Sequence, residues 1–543
     1  MNAVLEWCSI FDNVVSVRQN YDYQFNRLNK YLNPSSTKFF QSREGDGNVS
    51  RTDLFDGTPE RACDDLASSL LGMLVSPIED KFNLVPTGKL AKSKQHIDAL
   101  KRAKNWIADH LTRPDTCFAK ASGNILRSVV GYGDGPFLMH RDMKKKLVKF
   151  AALPKQEVYF QRNQYGEVLN FFREVYMTPI QLKREFAGES SGQGDAQYWR
   201  LLDEKIKTNP NEESKIINVV YERDDYKVKT LNANEMKYAS LWFDYDKKVL
   251  LKESGFDYWP FQAPAWTLGP GEDYGRGPGH RALPDIITLN LMEKKNLAAA
   301  EVMITPPLIM PYDIMEDDLD LSPAAINYIN LSRAMFGTQF VKPEPLNTIQ
   351  NLPIGVEMQD RKRNQILLAF YNDLLEDGKN AEQSATESNI RFTDRVRRFT
   401  GPFANLETDF VEPIIRFVYE AGIAFGEIDV PSDLKEIKVA FTTAMYEAQQ
   451  GIRLQALQNA AGILTQFSSG AVQVPGIKQE ELAPYVFKAT GADTNLLEDP
   501  EVVKKQLAEQ RQVEQDQADA GSFKDAAGGL KDLNQALQLT QGV

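Results

Sequence analysis

Four histidines, His96, His110, His140 and His280, are the only imidazoles in a chain of 543 residues, and none stands at metal-ligand spacing from another. Each reads as a surface or structural residue in preference to a general base. The cysteines Cys8, Cys63 and Cys117 are odd in number and widely spaced, with no CxxC pair, so they read as reduced thiols of a cytosol and not as a zinc site. Glu316, Asp317, Asp318 and Asp320 offer oxygen ligands to Mg²⁺ or Ca²⁺, yet the EF-hand spacing with its glycine and closing glutamate is missing. A solvated acidic loop is the preferred reading. Tyr274-Gly-Arg-Gly-Pro-Gly-His280 brings glycines close enough to present backbone N–H groups to an anion. Pro278 removes one donor and no Lys-Ser/Thr pair follows, so the segment reads as a flexible joint leading into a helix. GxxxxGK followed by Ser or Thr, HExxH, GxSxG and a strand-to-helix GxGxxG are all missing, so nothing points to a motor, a zinc protease or a serine hydrolase. The expectation is a protein that is not an enzyme and needs no cofactor or metal.

Bulk composition fits a folded chain and not a disordered or collagen-like one. Hydrophobic residues make up 42% and charged residues 25% of the chain, ordinary globular values, and the length implies two or more structural units. The formal net charge is −12, whereas a chain that clamped duplex DNA through its phosphates would carry a basic excess. An acidic surface lets a polyanion pass without sticking. The first residues lack the basic and apolar blocks of a signal peptide. The longest apolar stretches, 66–78 and 302–312, fall short of the ~20 residues a membrane span needs. No membrane partner is expected.

Periodicity then supplies the elements. Trp7, Ile10, Val14 and Val17 recur every three or four residues and predict an amphipathic helix to about Tyr31. A second helix is expected behind Thr58-Pro59-Glu60, with Thr58 as cap, running to Pro77. Two more are expected over 96–112 and 115–132, the latter stopped by Gly131-Tyr-Gly133-Asp-Gly135-Pro136. A hairpin follows around Asn163-Gln-Tyr-Gly166, then a β-meander through KIINVVYERDD, KYASLWFDYD and KVLLKES. Helix returns at Pro284-Asp285 and runs to Ile304, where Pro306 and Pro307 stop it. About fifty residues of short apolar runs and prolines read as a compact, partly β insert, followed by a long helix from near Glu357. Apolar residues from Ile390 to Phe417 predict a further long helix kinked at Pro402 and Pro413, then a strand over 436–443 and a helix over 444–467. Beyond Asp499 the Gln- and Glu-rich composition predicts a solvated helix and a mobile end. The fold class is α+β, mainly α-helical.

The run YGRGPGHRALPDIITLNLMEKKNLAAAEVMITPPLIMP (274–311) resembles the most distinctive stretch of the podovirus, T7-like head-to-tail connector or portal family. FDGTPERACDDLASSLLGMLVSP with FNLVP, NILRSVVGYGDGPFL, EVYFQRNQYGEVLNFFREVYMT and SATESNIRFTDRVRRFTGPFANLETDFVEPIIRFVYEAG resemble the same family in the same order, so the resemblance spans roughly 5–470. It implies a dodecameric ring at one capsid vertex, with wing, stem, clip and crown regions around a channel for double-stranded DNA. It also implies docking of the terminase large subunit and later of tail adaptors, capsid and scaffold partners, assembly in the host cytoplasm and a final place in the virion.

Mapped onto this chain, the resemblance makes 1–284 the wing, 285–304 and 357–375 the two stem helices around a clip at 305–356, and 376–389 the tunnel loop. Residues 390–480 become the long helix and remaining wing, and 481–543 the crown and mobile tail. Lys379, Asn380 and Gln383 then belong to the channel loop, with Arg391 and Arg395 next to it; these arginines fit lining the channel and pairing with a neighbouring subunit's acids equally well. Glu316, Asp317 and Asp318 with Phe336 and Phe340 become clip contacts, while core packing accounts for the two aromatics equally well. A tail adaptor shares the acidic, motif-poor composition, and a metal-dependent nuclease is the enzymatic alternative; the order of stem, clip and stem favours the portal.

Overall fold

The computed structural model describes residues 2–34, 53–75, 78, 81–86, 94–186, 196–227, 232–304, 352–372, 401–429 and 437–441, together with four two-residue strands between 308 and 345. It divides the chain into two units, 1–441 and 442–543, and every described residue belongs to the first.

Five consecutive strands form one antiparallel sheet in chain order: β4 (Val158–Arg162), β5 (Val168–Met177), β6 (Ser214–Glu222), β7 (Tyr238–Asp244) and β8 (Val249–Phe256). The meander follows from alternating β-branched and aromatic residues separated by charged turns. β6 is buried on both faces because helices cover both sides of the sheet. Phe172, Ile217, Val219, Leu241 and Phe243 share one face, where they meet Val4, Cys8, Phe11 and Val14 of helix α1 (Asn2–Leu32). Ile216 and Leu251 meet Leu182 and Phe186 of α5 (Pro179–Phe186) and Tyr198 and Leu202 of α6 (Ala196–Thr208). α1 supplies its half of this helix-on-sheet core through Val4, Cys8, Phe11 and Val14; of the predicted stripe only Val14 is fully buried, Trp7 and Ile10 are partly buried and Val17 is exposed.

A helical layer packs on α1: α2 (Thr58–Leu74) and α4 (Phe118–Tyr132), with α3 (Lys94–Thr112) against α4. Thr58 is not the cap of α2 but its first residue; Gly57 takes the cap position, and Asp56 Oδ1 accepts the Thr58 N–H at 2.7 Å. Two strand pairings were not legible in the sequence. β1 (Phe82–Pro86) pairs antiparallel with β14 (Ile437–Phe441), the partner expected near 436–443, and β2 (Phe137–Asp142) pairs with β3 (Leu147–Ala152) and with β9 (Phe261–Gln262). Both depend on partners far along the chain or on a lysine-rich turn, which local alternation does not reveal.

The later helices start and stop away from their predicted bounds. α7 spans Pro278–Ile304, beginning at Pro278 and carrying Pro284 inside it, because Pro278 already suits the first turn. α8 spans Leu352–Ala369; Tyr371 adopts φ 57°, so the helix breaks before the predicted 375. Residues 401–406 are helical and lead into a π turn, Glu407–Val411, and then α9 (Glu412–Ala424). The predicted kink at Pro413 takes this form: the Glu412 N–H reaches back five residues to the Glu407 carbonyl, a wider turn that accommodates the proline. Among the described residues no helix is long and apolar enough to cross a membrane.

Candidate functional site

α7 and α8 lie side by side and antiparallel. Lys362 Nζ meets Asp285 Oδ1 at 2.7 Å near the start of α7, while Gly355, near the start of α8, lies against Asn296 further along it. Polar ties hold the pair and anchor it to the helical layer. Arg363 donates to Asp56 Oδ2 at 2.9 Å, to Asp360 Oδ1 at 2.9 Å and to Glu293, and Asn290 bridges Asp53 and Phe55. Burial works against the Asp56 carboxylate, but hydrogen bonds from Thr58 and the Arg363 guanidinium hold it below the usual range. Apolar side chains remain in the open: Leu291, Leu297, Met303 and Ile304 on α7, and Val356, Met358 and Leu368 on α8, are each about half exposed or more. At helical spacing these residues point in several directions, so the pair has no single wet face.

Short strands close the insert between these helices. β10 (Leu308–Ile309) pairs with β13 (Glu344–Pro345), and β11 (Met335–Phe336) pairs with β12 (Gln339–Phe340). Phe336 and Phe340 thus lie in a backbone ladder, in register with Gln339 and Met335 respectively. Glu316, Asp317 and Asp318 lie outside the described residues, as do Lys379, Asn380, Gln383, Arg391 and Arg395. The predicted 444–467 helix and everything from 481 onward also lie outside them.

The glycine-rich segment before α7 is a packed joint and not the flexible one predicted. Gly133 caps α4 at φ 90°, and a Cβ there would overlap the Gly275 carbonyl; a Cβ on Gly277 would stand 2.6 Å from the Val129 carbonyl. Two backbone segments therefore touch directly. Trp266 N–H donates to Gly133 O at 2.9 Å and Arg276 N–H to Thr267 O at 2.8 Å. The donors that an anion would need are already in use: Gly275 N–H reaches Asp134 Oδ2 at 3.2 Å and Gly277 N–H reaches His280 Nδ1 at 3.3 Å.

Beneath the joint lies a cluster of buried charge that the sequence reading did not single out. Asp134 and Lys155 form an ion pair with both side chains at most 1% exposed. The Lys155 amine stands 4.5 Å from the Tyr274 ring centre, 5.0 Å from Phe25 and 5.1 Å from Phe160. Arg18 of α1 donates to the carbonyls of Lys155, at 2.7 Å, and Val158, and to Asp22 at 3.0 Å. Arg162 of β4 donates to the carbonyls of Asp273, Gly166 and Ala263 at 2.6–2.8 Å. The only local signal for any of this is an acid set between glycines at 133–135.

Similarity to known proteins decides the family. The chain matches the sequence model of the bacteriophage head to tail connecting proteins over residues 6–497. It belongs to that family. It is 23% identical over 547 aligned residues to a probable portal protein of Bordetella phage BPP-1, covering 96% of this chain and 94% of that one. Against the portal protein of Salmonella phage epsilon15 it is 22% identical over 473 residues, covering 83% and 81%.

Two histidines of this connector are engaged as acceptors within the fold. His110 is buried; its Nε2 accepts the Val148 N–H at 3.2 Å, and burial lowers its basicity. His280 is lowered to about 4 by burial, and its Nδ1 is engaged by Gly277. All three cysteines are free thiols, and burial pushes Cys63 up to about 12. Among the described residues no group of three or more His, Cys, Asp or Glu could hold a metal ion. A groove of about 830 Å³ opens between the β4–β5 hairpin, the 259–268 loop and the π turn, with Arg162, Tyr165, Trp259 and Asp409 among its walls. Burial raises the Asp409 carboxyl, and Arg162 only partly offsets it.

Proposed function

We propose that this connector assembles as a cyclic ring at one capsid vertex and forms the channel through which double-stranded DNA enters and leaves the head. The observation that carries the reading is the α7–α8 pair, an antiparallel hairpin of helices that leaves apolar side chains exposed in several directions. Such a pair is unfavourable as the surface of a monomer; flanked by copies of itself on both sides, it buries those side chains in heterologous contacts that close into a ring. About twelve copies is the expected number.

In this reading 1–284 is the wing, 285–304 on α7 and 357–375 with α8 are the stem, and the strand-bearing insert at 305–356 is the clip, which meets the terminase large subunit during packaging and tail adaptors afterwards. Phe336 and Phe340, with Glu316, Asp317 and Asp318, are the proposed clip contacts. The 376–389 stretch is the tunnel loop: Lys379, Asn380 and Gln383, with Arg391 and Arg395 beside it, face DNA, while the overall negative charge keeps that contact weak. The role is structural, without catalysis or cofactor, with capsid and scaffold proteins as assembly partners in the host cytoplasm.

Negative-stain electron microscopy of the purified chain tests the proposal. End-on views should show rings with a central hole and about twelvefold symmetry. Compact monomers or dimers at concentrations where the scaffold is also supplied would reject it.

A further inference from the structure

The buried charge beneath the glycine joint is set where one movement would redirect a whole helix. α7 starts at Pro278, directly after a segment held by four contacts: Gly275 N–H on Asp134 Oδ2, Arg276 N–H on Thr267 O, Gly277 N–H on His280 Nδ1 and the backbone contact of Gly275 with Gly133. Asp134 has a divided role, because one carboxylate oxygen takes the Gly275 N–H and the other takes the Lys155 amine. A cavity of about 260 Å³, lined in part by Asn33, Asn124, Tyr132 and Gln156, reaches Lys155 itself.

We propose that Asp134, Lys155 and the 274–280 segment form a proton-linked latch, which when closed fixes the direction in which α7 leaves the sheet and when opened hands Lys155 to water and a proton. The inference does not rest on ring assembly. The charged and titratable groups around the amine come from every element packed there: Arg18 and Asp22 from α1, Asp134 from the α4–β2 turn, Tyr159 and Arg162 from β4, and Asp273, Tyr274 and His280 from the segment entering α7.

The sign follows from linkage. In the closed joint, burial, partly offset by Asp134, lowers the Lys155 amine from 10.5 to about 7. The open form binds more protons between those values, so a falling pH favours opening and a rising pH favours closure. His280 pushes the same way only below its ordinary 6.5, and Tyr274, raised to about 12, acts only above 10.

Hydrogen exchange of the full chain at several pH values between about 7 and 9, referred to unstructured-peptide rates, tests the latch. The amides of Gly275, Arg276 and Gly277 should be less protected than those of Ile217 and Val219 in β6, and their protection should fall by up to about tenfold per pH unit as the pH is lowered. Lys155→Met should abolish that slope, as should Lys155→Gln, which keeps a donor for Asp134. A flat wild-type profile, joint protection equal to that of β6, or a slope that survives in either variant would overturn the proposal. The wild-type profile alone decides the matter if neither variant folds.

Discussion

At Gly133 the α4 cap, the joint and the start of α7 all depend on the absence of one carbon atom. Alanine there would meet the Gly275 carbonyl and also demand φ 90°, two separate penalties. Gly133→Ala should cost about 2–4 kcal/mol, read as a lowered denaturation midpoint; a change within about 0.5 kcal/mol would remove the contact from the account. His280 gives a pH signature at the same scale. Its folded basicity is lowered from 6.5 to about 4, so the neutral ring's contribution is complete above 6.5 and is lost as pH falls towards 4. The loss amounts to at most about 3 kcal/mol over that window. His280→Asn, which can still accept from Gly277 but does not titrate, should flatten the acid limb of the stability curve, and an unaltered limb would place the linkage elsewhere.

Among the elements, α7 and α8 differ from α1 and α4 in how they are stabilised. α1 and α4 bury apolar stripes within the chain, whereas α7 and α8 bury only a few apolar residues, Ala282, Ile286, Leu289 and Ile366 among them, and add ion pairs such as Lys362–Asp285 and Arg363–Glu293. Partly exposed pairs of this kind contribute only about 0–1 kcal/mol each, so the hairpin needs another source of burial. The exposed Leu297 and Leu368 are the test, because neither supports the described fold. Leu297→Glu with Leu368→Glu should leave the thermal midpoint within about 2 °C of the parent and abolish rings in size-exclusion chromatography and electron microscopy. Rings that persist would mean that assembly is carried by other surfaces.

For the whole molecule, net charge and topology bear on the same point. A net charge of −12 suits a conduit that DNA passes through better than a protein that grips it. Deleting residues 378–385 should leave ring assembly intact and reduce the amount of DNA packaged or retained in heads, measured by nuclease-protected DNA per particle. Normal packaging and retention would remove the loop from the channel. The β1–β14 pairing acts at this scale too, since Phe82 lies opposite Phe441 and ties the strand after α2 to the end of the described chain. Pairing strands so distant in sequence costs loop-closure entropy that local contacts do not.

What the sequence determined by itself was whatever period and punctuation encode locally. The helical period of α1, the hairpin at Asn163 to Gly166, the three-strand meander and the proline-bounded insert all have side-chain spacings or turn residues that allow few alternatives, although the face α1 buries is set by the sheet. Tertiary structure alone decided the rest. The glycines of 274–280 have the same composition in a phosphate loop, a flexible joint and a packed one, and only contact with Gly133 and Asp134 distinguishes them. Lys155 and Arg18 carry no local mark of burial, because burial is a property of what other segments bring to them. The pairing of β1 with β14 and of β2 with β9 belongs to the same class: backbone hydrogen bonds between strands are indifferent to side-chain identity, so the partner is chosen by the fold.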